Sequence, residues 1–589
     1  MEKIMKKKIL LLYPEFPTTY WSLKYALPFI NKKGMIPPLG LMTIASMIPD
    51  RYSVKLIDLN VRKLTDKDVQ EADIVFISAM IVQKHSFDEA VRICIRYEKK
   101  IVAGGPYPTS SHELIEGVDH FILGEAEEVL PQFFSDYEKG SAKKIYDSPN
   151  KPDITKTLPP RFDLINVRDY NNMALQYSRG CPFNCEFCDI IEMFGRTPRT
   201  KDPDQFVDEI ELVYATGFKG SVFIVDDNFI GHKQKVKVLL KKIIEWQEKR
   251  GYPYTFFTEA SIDMSRDDEL LKLMEKAGFD MVFIGIETPD KETLKHTDKN
   301  QNVNIDLIEG IKKIQRHGIE VSAGFIVGFD SDSEDIFERQ ISFIQKSGIP
   351  IAMVGLLIAL PNTRLFRRLK DENRIVTHTT GNNTHELDIN FIPVMPVKSL
   401  VNGYKEILSK IYSPKNYFRR CETLIKKMPK GNRVFRFPGI TGLRALVLSL
   451  VRQGFSTYGY HYFTFLLKII IQRPSRFIGA VTLSVKGFHF FKITKEIMIY
   501  DDFIQYMKQA SESIQARIKF IPDSPGKEVV QDLKKYIEKH ISGIERKYRR
   551  LSRDIQKYQN AKIVEFREYC NELVYDYSKK FMEPGKIIT

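Results

Sequence analysis

Short apolar runs alternate with helically patterned spacers along the first 150 positions: KILLLY (8–13), VKLID (54–58), IVFISAM (74–80), IVAGG (101–105) and HFILG (120–124). Runs of this length read as buried strands, and spacers such as SFDEAVRICIRYEKK (86–100) read as amphipathic helices. Strand and helix in alternation predict a parallel sheet covered on both faces. A proline-bearing stretch without periodicity, KPDITKTLPPRFDL (151–164), marks a boundary. Beyond it the alternation resumes with MALQYS (173–178), VFIVDD (222–227), YTFFTEA (254–260), MVFIGIE (281–287), IEVSAGFIVG (319–328) and IAMVGLL (351–357). Five intervening helical segments end in glycine, at Gly217, Gly251, Gly278, Gly318 and Gly348. Six strand–helix units predict a partial (β/α)6 barrel, with its chemistry at the carboxyl ends of the strands.

The pattern changes after about residue 376. TGLRALVLSLVRQGF (441–455) and YFTFLLKIIIQRPSRF (462–477) are apolar helical segments dotted with Lys and Arg, and each is shorter than the roughly 18 residues a membrane span needs. Residues 501–589 are helical and charge-rich, and no function can be read from them. The expected organisation is an α/β fold divided at 1–150, 165–375, 376–500 and 501–589. The N-terminal run ILLLY is too short for a signal peptide core and is expected to be a first buried strand.

Composition sharpens this in two places. The 589 residues are 43% hydrophobic and 28% charged, the balance of an ordinary globular chain. The net charge of +14 is concentrated: residues 411–500 hold sixteen Lys/Arg against two acids, together with sixteen aromatics. Such a segment suits an interfacial helix, the wall of a channel for a large apolar substrate, or a helical subdomain with its cations turned outward. Only six cysteines occur, and three are clustered as Cys181, Cys185 and Cys188, which points to a metal site in a reducing compartment rather than a disulfide framework.

In an open parallel sheet, ligands bind beyond the carboxyl ends of the strands. Those ends carry Asp58, Ser78, Gly104, Gly105 and Glu125. The glycines would admit a bulky or phosphorylated ligand, or serve only as turns. No GxGxxG follows the first strand, so a nicotinamide dinucleotide is not supported. The order Asp58, Ser78-Ala-Met80, Gly104-Gly105 resembles the Rossmann-like cobalamin-binding domain, whose usual pattern is Asp-x-His-x-x-Gly, then Ser-x-Leu, then Gly-Gly. Here Asn60 stands at the histidine position and Lys63 at the glycine. The resemblance therefore implies a cobalamin without a histidine ligand below the cobalt, held by residues including Asp58, Asn60, Ser78, Gly104, Gly105 and Glu125.

RGCPFNCEFCDI (179–190) places three thiols within eight residues on a loop loosened by Gly180 and Pro182. Four thiolates close a 4Fe-4S cluster, so three leave one iron open. Zinc completed by a distant His is the alternative, although zinc sites favour paired Cys-x2-Cys units and no second pair exists. With Phe187 before the last cysteine, the motif resembles the radical SAM (S-adenosylmethionine) superfamily. That resemblance implies SAM chelating the open iron of a cluster held by Cys181, Cys185 and Cys188. It also implies SAM contacts from Glu287 in GIET (285–288), with Asp226, Asn228 and Glu259 as further candidates at strand ends. Each carboxylate could equally be a helix cap at a βα turn. Arg179 is expected to support the loop, and LPNTRLF (360–366) to close the barrel.

Residues 14–41 and FRRCETLI (418–425) are similar to the subgroup containing hopanoid 2-methylases, whose relatives act on tetrapyrroles and tetraether lipids. The implied function is methyl transfer to an unactivated carbon of a large hydrophobic molecule. One SAM would methylate reduced cobalamin, and a second would yield a 5′-deoxyadenosyl radical that removes hydrogen from the substrate. Carbon–carbon coupling or cyclisation by the same cofactors is the alternative. A tRNA methylthiotransferase would need three further N-terminal cysteines where only Cys94 exists, and a cobalamin sensor would have no use for the thiol loop. The expected partners are a hydrophobic or lipid substrate and an electron donor such as flavodoxin or ferredoxin, with no nucleic acid. The expected location is cytoplasmic, with peripheral contact to the inner membrane face left open.

Overall fold

In the computed structural model each apolar run of the first 150 residues becomes a strand: β1 (Lys7–Tyr13), β2 (Tyr52–Asp58), β3 (Ile74–Ser78), β4 (Lys100–Gly104) and β5 (His120–Ile122), with a short β6 (Ile145–Tyr146) added at the edge. The structure describes residues 6–382, 387, 389–430, 439–521 and 526–582. The sheet is parallel throughout, in the order β2-β1-β3-β4-β5-β6. Period-two alternation divides its side chains between two cores. Leu10, Leu12, Val75, Ile77, Ile101 and Ala103 pack on one face with Phe87, Ala90 and Cys94 of the helix Lys84–Arg96. Ile9, Leu11, Ile74, Phe76 and Val102 pack on the other with the helices Leu39–Ala45 and Ala126–Glu138. Full burial of each such aliphatic side chain stabilises the fold by about 1.5–3 kcal/mol. The order reverses between β1 and β3, and that reversal opens a crevice beyond their carboxyl ends.

The second sheet is also parallel and follows the chain: β7 (Asn172–Leu175), β10 (Ser221–Ile224), β11 (Thr255–Glu259), β12 (Phe279–Glu287), β13 (Glu320–Val327) and β14 (Ala352–Leu356) lie side by side, as six open staves of a barrel. A small antiparallel ribbon, β8 (Ser178–Arg179) with β9 (Arg199–Thr200), follows β7. The helices Asp268–Ala277 and Ile336–Ser347 end on Gly278 and Gly348 in left-handed conformation, as the sequence leads one to expect.

Helices Val397–Ile411 and Pro414–Lys427 continue the chain after the barrel. Arg420, from the FRRCETLI stretch, is fully buried. It donates to the carbonyls of Ile349 (2.9 Å), Pro350 (3.4 Å) and Ile411 and to Gln345 Oε1 (3.0 Å). Its guanidinium also lies over the rings of Tyr412 and Tyr417. Backbone oxygens thus satisfy most of this cation's donors and tie the helices to the entry of β14.

The chain divides into two compact units, Met1–Phe491 and Lys492–Thr589. The second is helical, and Phe503, Ala510 and Ile544 form part of its core. Among the described residues no helix is long and apolar enough to cross a membrane.

Candidate functional site

The three thiols sit on a loop whose ends are pinned by the β8–β9 ribbon at the carboxyl end of the barrel's first strand. Gly180 opens the loop at φ +92°, where a Cβ would lie 2.8 Å from the Gly195 carbonyl oxygen, so only glycine fits. The Asp226 carboxylate braces the approach by accepting from Tyr177 N (2.7 Å), Ser178 N (2.8 Å) and Ser178 Oγ (2.6 Å). The far side is tied as well: Glu186 N donates to Thr297 O (3.0 Å) and Leu365 N to Glu186 O (2.9 Å). Arg368 Nε meets Glu186 Oε1 at 2.6 Å, and Arg364 donates to Asn184 O at 3.0 Å. LPNTRLF therefore leads into the helix Arg364–Asp371, which clamps the thiol loop.

Burial pushes the Cys181 and Cys188 thiols above their ordinary range, and Cys185 beside them adds to the effect. The Lys299 ammonium pulls both the other way. Asn228 Nδ2 lies 3.9 Å from Cys181 Sγ, and Gln301 Nε2 lies 3.6 Å from Cys185 Sγ. A buried thiol (Cys185) between two half-buried ones, with amide donors and a cation at hand, fits a thiolate-held cluster, because thiolates are stabilised by a metal and hydrogen bonds to sulfur tune its potential. Among the described residues no three His, Cys, Asp or Glu side chains are arranged to hold a single metal ion.

Glu287 closes β12 in left-handed backbone at φ +63°, an unusual state for a residue other than glycine that costs about 1–3 kcal/mol. The β12–β13 register breaks at this point. Asn302 Nδ2 holds the carbonyls of Gly285 (3.0 Å) and Ile286 (3.1 Å). The Glu287 carboxylate folds back to Lys299 Nζ at 2.7 Å, across a Gly285 whose absent Cβ would sit 2.3 Å from Glu287 Oε1. Lys299 also faces the Phe187 ring at 5.8 Å. Of two further carboxyls, Glu259 closes β11 and Asp227 lies three residues beyond β10. Desolvation raises Asp227 to about 7 and Glu259 to about 8, and Asp227 contributes to the Glu259 shift. Asn228 Oδ1 accepts from Ser261 N at 3.3 Å, and Asn228 lines a cavity of about 460 Å3 with Pro182, Phe183 and Ser261.

The raised Glu259 has a thermodynamic consequence. A carboxyl whose folded pKa lies above its unfolded value favours folding at low pH, and that contribution is lost as pH rises through the folded pKa. Metal-free protein is expected to lose about 2–3 kcal/mol of stability from this group between about pH 6 and about pH 9. Urea unfolding of wild type and Glu259→Gln at both pH values measures it, and an equal slope in the two proteins would contradict the assignment.

The crevice of the first sheet holds a second cavity of about 270 Å3, lined by Ser78, Gly104, Gly105, Thr109 and Glu125 at the ends of β3, β4 and β5. At Gly105, φ is +86° and a Cβ would strike Ser78 Oγ at 2.5 Å, which leaves bare backbone facing the space. Its opposite wall comes from the barrel and the thiol loop: Gln176, Arg179, Met193, Phe194 and Val225. Arg179 joins the two sides, donating to Glu125 Oε2 (2.6 Å) and Glu127 Oε1 (2.7 Å), while Arg199 grips Glu125 Oε1 (2.6 Å). Asp58 and Asn60 lie apart from this cavity's lining. Asp58 is buried, accepting from Asn60 N (2.9 Å), Asn60 Nδ2 (2.7 Å) and Tyr170 OH (2.9 Å). Asn60 Oδ1 accepts from Phe16 N at 2.8 Å. This knot joins β2 to the segment that enters the barrel.

Two parallel α/β sheets, a glycine-floored crevice on the first and a three-thiol loop on the second define a protein that pairs a cobalamin-type domain with a radical SAM barrel. Family models agree: residues 28–134 match the B12 binding domain, 175–344 the radical SAM superfamily and 363–500 a domain of unknown function, DUF4070. The chain is 40% identical over 488 residues to an uncharacterized methyltransferase of Synechocystis, covering 82% of this chain and 91% of that one. It is 32% identical over 421 residues to the hopanoid C-2 methylase of Rhodopseudomonas palustris, covering 71% and 79%. The fold is shared with the radical SAM methyltransferase TsrM of Kitasatospora setae, at TM-score 0.54 and 13% identity, covering 82% of this chain and 99% of that one. The chain belongs to the cobalamin-dependent radical SAM methyltransferase family and is a radical SAM enzyme, with cobalamin, a 4Fe-4S cluster and SAM as its cofactors.

Sequence reasoning did not single out Lys299, Gln301 or Arg199. No motif marks them; only their position, on the loop after β12 for the first two and on the returning strand β9 for the third, could have found them.

Proposed function

We propose that this enzyme transfers a methyl group to an unactivated carbon of a large hydrophobic molecule, a hopanoid-like lipid or a tetrapyrrole. The observation that carries the reading is the shared wall. Gln176, Arg179, Met193 and Phe194, which flank or belong to the thiol loop, line the same cavity as Ser78, Gly104 and Gly105. A methyl carrier in the crevice and a hydrogen-abstracting centre on the loop would then face one substrate position.

When bound, the cluster with SAM supplies an adenosyl radical that takes hydrogen from an inert carbon, and cobalamin supplies the methyl group. The chain's own residues do the rest. Cys181, Cys185 and Cys188 hold three irons, while Asn228 and Gln301 donate to the sulfurs. Glu287 receives the ammonium of SAM, and Lys299 balances its carboxylate. Glu259, raised by desolvation, donates to a neutral polar group of SAM, Asp227 accepts from Gly180 N at the mouth of the loop, and Asp226 shapes the loop rather than meeting a ligand. Ser78, Gly104 and Gly105 take one arm of cobalamin, since about 270 Å3 falls below the roughly 300–1,000 Å3 of a pocket for a drug-sized molecule. Glu125 fixes Arg179 at the junction, and the Asp58–Asn60 knot stiffens the crevice edge. The electron is supplied by a flavodoxin or ferredoxin.

The similarity to the hopanoid methylase favours a polycyclic lipid. The test is anaerobic incubation of the reconstituted enzyme with deuteromethyl SAM and the host's lipid and pigment extracts. A lipid or pigment carrying one labelled methyl is the expected product. A new ring or cross-link without label would replace methyl transfer with the coupling alternative.

A further inference from the structure

Helix Gly439–Gly454 is turned inside out. Its buried positions are Ser449 and Gln453, hydrogen-bonded to each other at 2.9 Å, with Ser449 also 2.9 Å from Tyr462 OH. Ala445 and Leu448 are partly buried, packed beside Phe29. Other apolar residues face outward at helical spacing: Ile440 (89% exposed), Leu443, Val447 and Val451, while Leu446 is half-buried. Helix Gly459–Gln472 packs Phe465 against Phe418 at 5.1 Å. Its outward stripe repeats the pattern with Phe463, Leu467 and Ile471 (71%). Phe455, at the turn between the helices, is 91% exposed. Two neighbouring helices thus present aligned apolar positions to solvent, far from the scattered single residues of an ordinary surface.

The charge around these stripes selects their partner. Residues 439–491 contain six Lys/Arg and no Asp or Glu. Arg444 is exposed on the first helix; Arg452, also exposed, lies over the Phe29 ring, and Lys468 on the second helix is exposed while paired with Glu422 at 3.3 Å. A second copy of the chain would bring the same cationic patch against itself, because a two-fold interface is self-complementary. An anionic lipid surface offers apolar depth and opposite charge together.

We propose that the hairpin 439–472 is an interfacial docking surface, which inserts its two apolar stripes at the headgroup–acyl boundary of a bilayer rich in anionic lipid. This rests on the hairpin alone and does not require that the substrate be a lipid. The experiment is flotation of the full chain with vesicles of phosphatidylcholine, alone or with an equal part of phosphatidylglycerol. Wild type is expected to bind the anionic vesicles, and Leu443→Gln/Val447→Gln/Leu467→Gln to bind about tenfold or more weakly, with unchanged circular dichroism and SAM cleavage. Arg444→Gln, which leaves the apolar stripes intact, is expected to weaken binding about fivefold at low salt. Equal binding by wild type and both variants, or no binding by wild type, overturns the proposal. So does a wild-type dimer that the triple variant makes monomeric while vesicle binding is unchanged. The SAM cleavage control separates failure here from failure of the methylase reading.

Discussion

Alanine at Cys181, Cys185 or Cys188 is expected to abolish SAM cleavage, lowering 5′-deoxyadenosine formation by at least about a thousandfold, or ~4 kcal/mol of barrier. The size follows from the ligand count. On the proposed assignment three thiols would hold a four-iron cluster with nothing to spare, and Asn228 and Gln301 beside them offer amide nitrogens to sulfur rather than ligands to iron. Iron content and the cluster's visible absorbance should fall with activity. The fold should persist, because the loop is also held through Gly195, Thr297, Leu365 and Arg368. Retained cleavage in a purified, anaerobically reconstituted triple variant would refute the assignment.

The second large effect concerns the crevice. Ser78→Phe is expected to fill part of the cavity beyond β3 and β4 and to cut cobalamin co-purification about tenfold or more, since a cofactor arm and a benzyl group cannot share that volume. Methyl transfer should disappear, while the cluster spectrum and SAM cleavage in the absence of methylation should remain. That separation is the informative part. Normal cobalamin content in the variant would move the binding site elsewhere. Loss of cluster and cobalamin together would show that the substitution had disturbed the junction at Arg179.

Much of this arrangement was legible in the sequence, because the features that carried it are local. Runs such as KILLLY and IVFIS must be buried strands whatever surrounds them, and a Cys-x3-Cys-x2-Cys loop declares itself by spacing. The less legible parts depend on contacts distant in sequence. Glu125 looked like a ligand at the end of a strand, but two guanidiniums from the thiol-loop ribbon claim its oxygens. Asp226 looked like its neighbours Asp227 and Asn228 until the backbone of Tyr177 and Ser178 turned out to occupy both of its oxygens. Asp58 is engaged by Tyr170, more than a hundred residues away. Strand ends predict where carboxylates gather, but not which of them keeps a free lone pair.

The clamp on the thiol loop has one more consequence. Glu186 is bonded to Thr297, Leu365 and Arg368, and none of these ties involves a metal. The order of the loop is therefore expected to outlast removal of the cluster, with protease sensitivity across 180–198 nearly the same in the empty and filled forms.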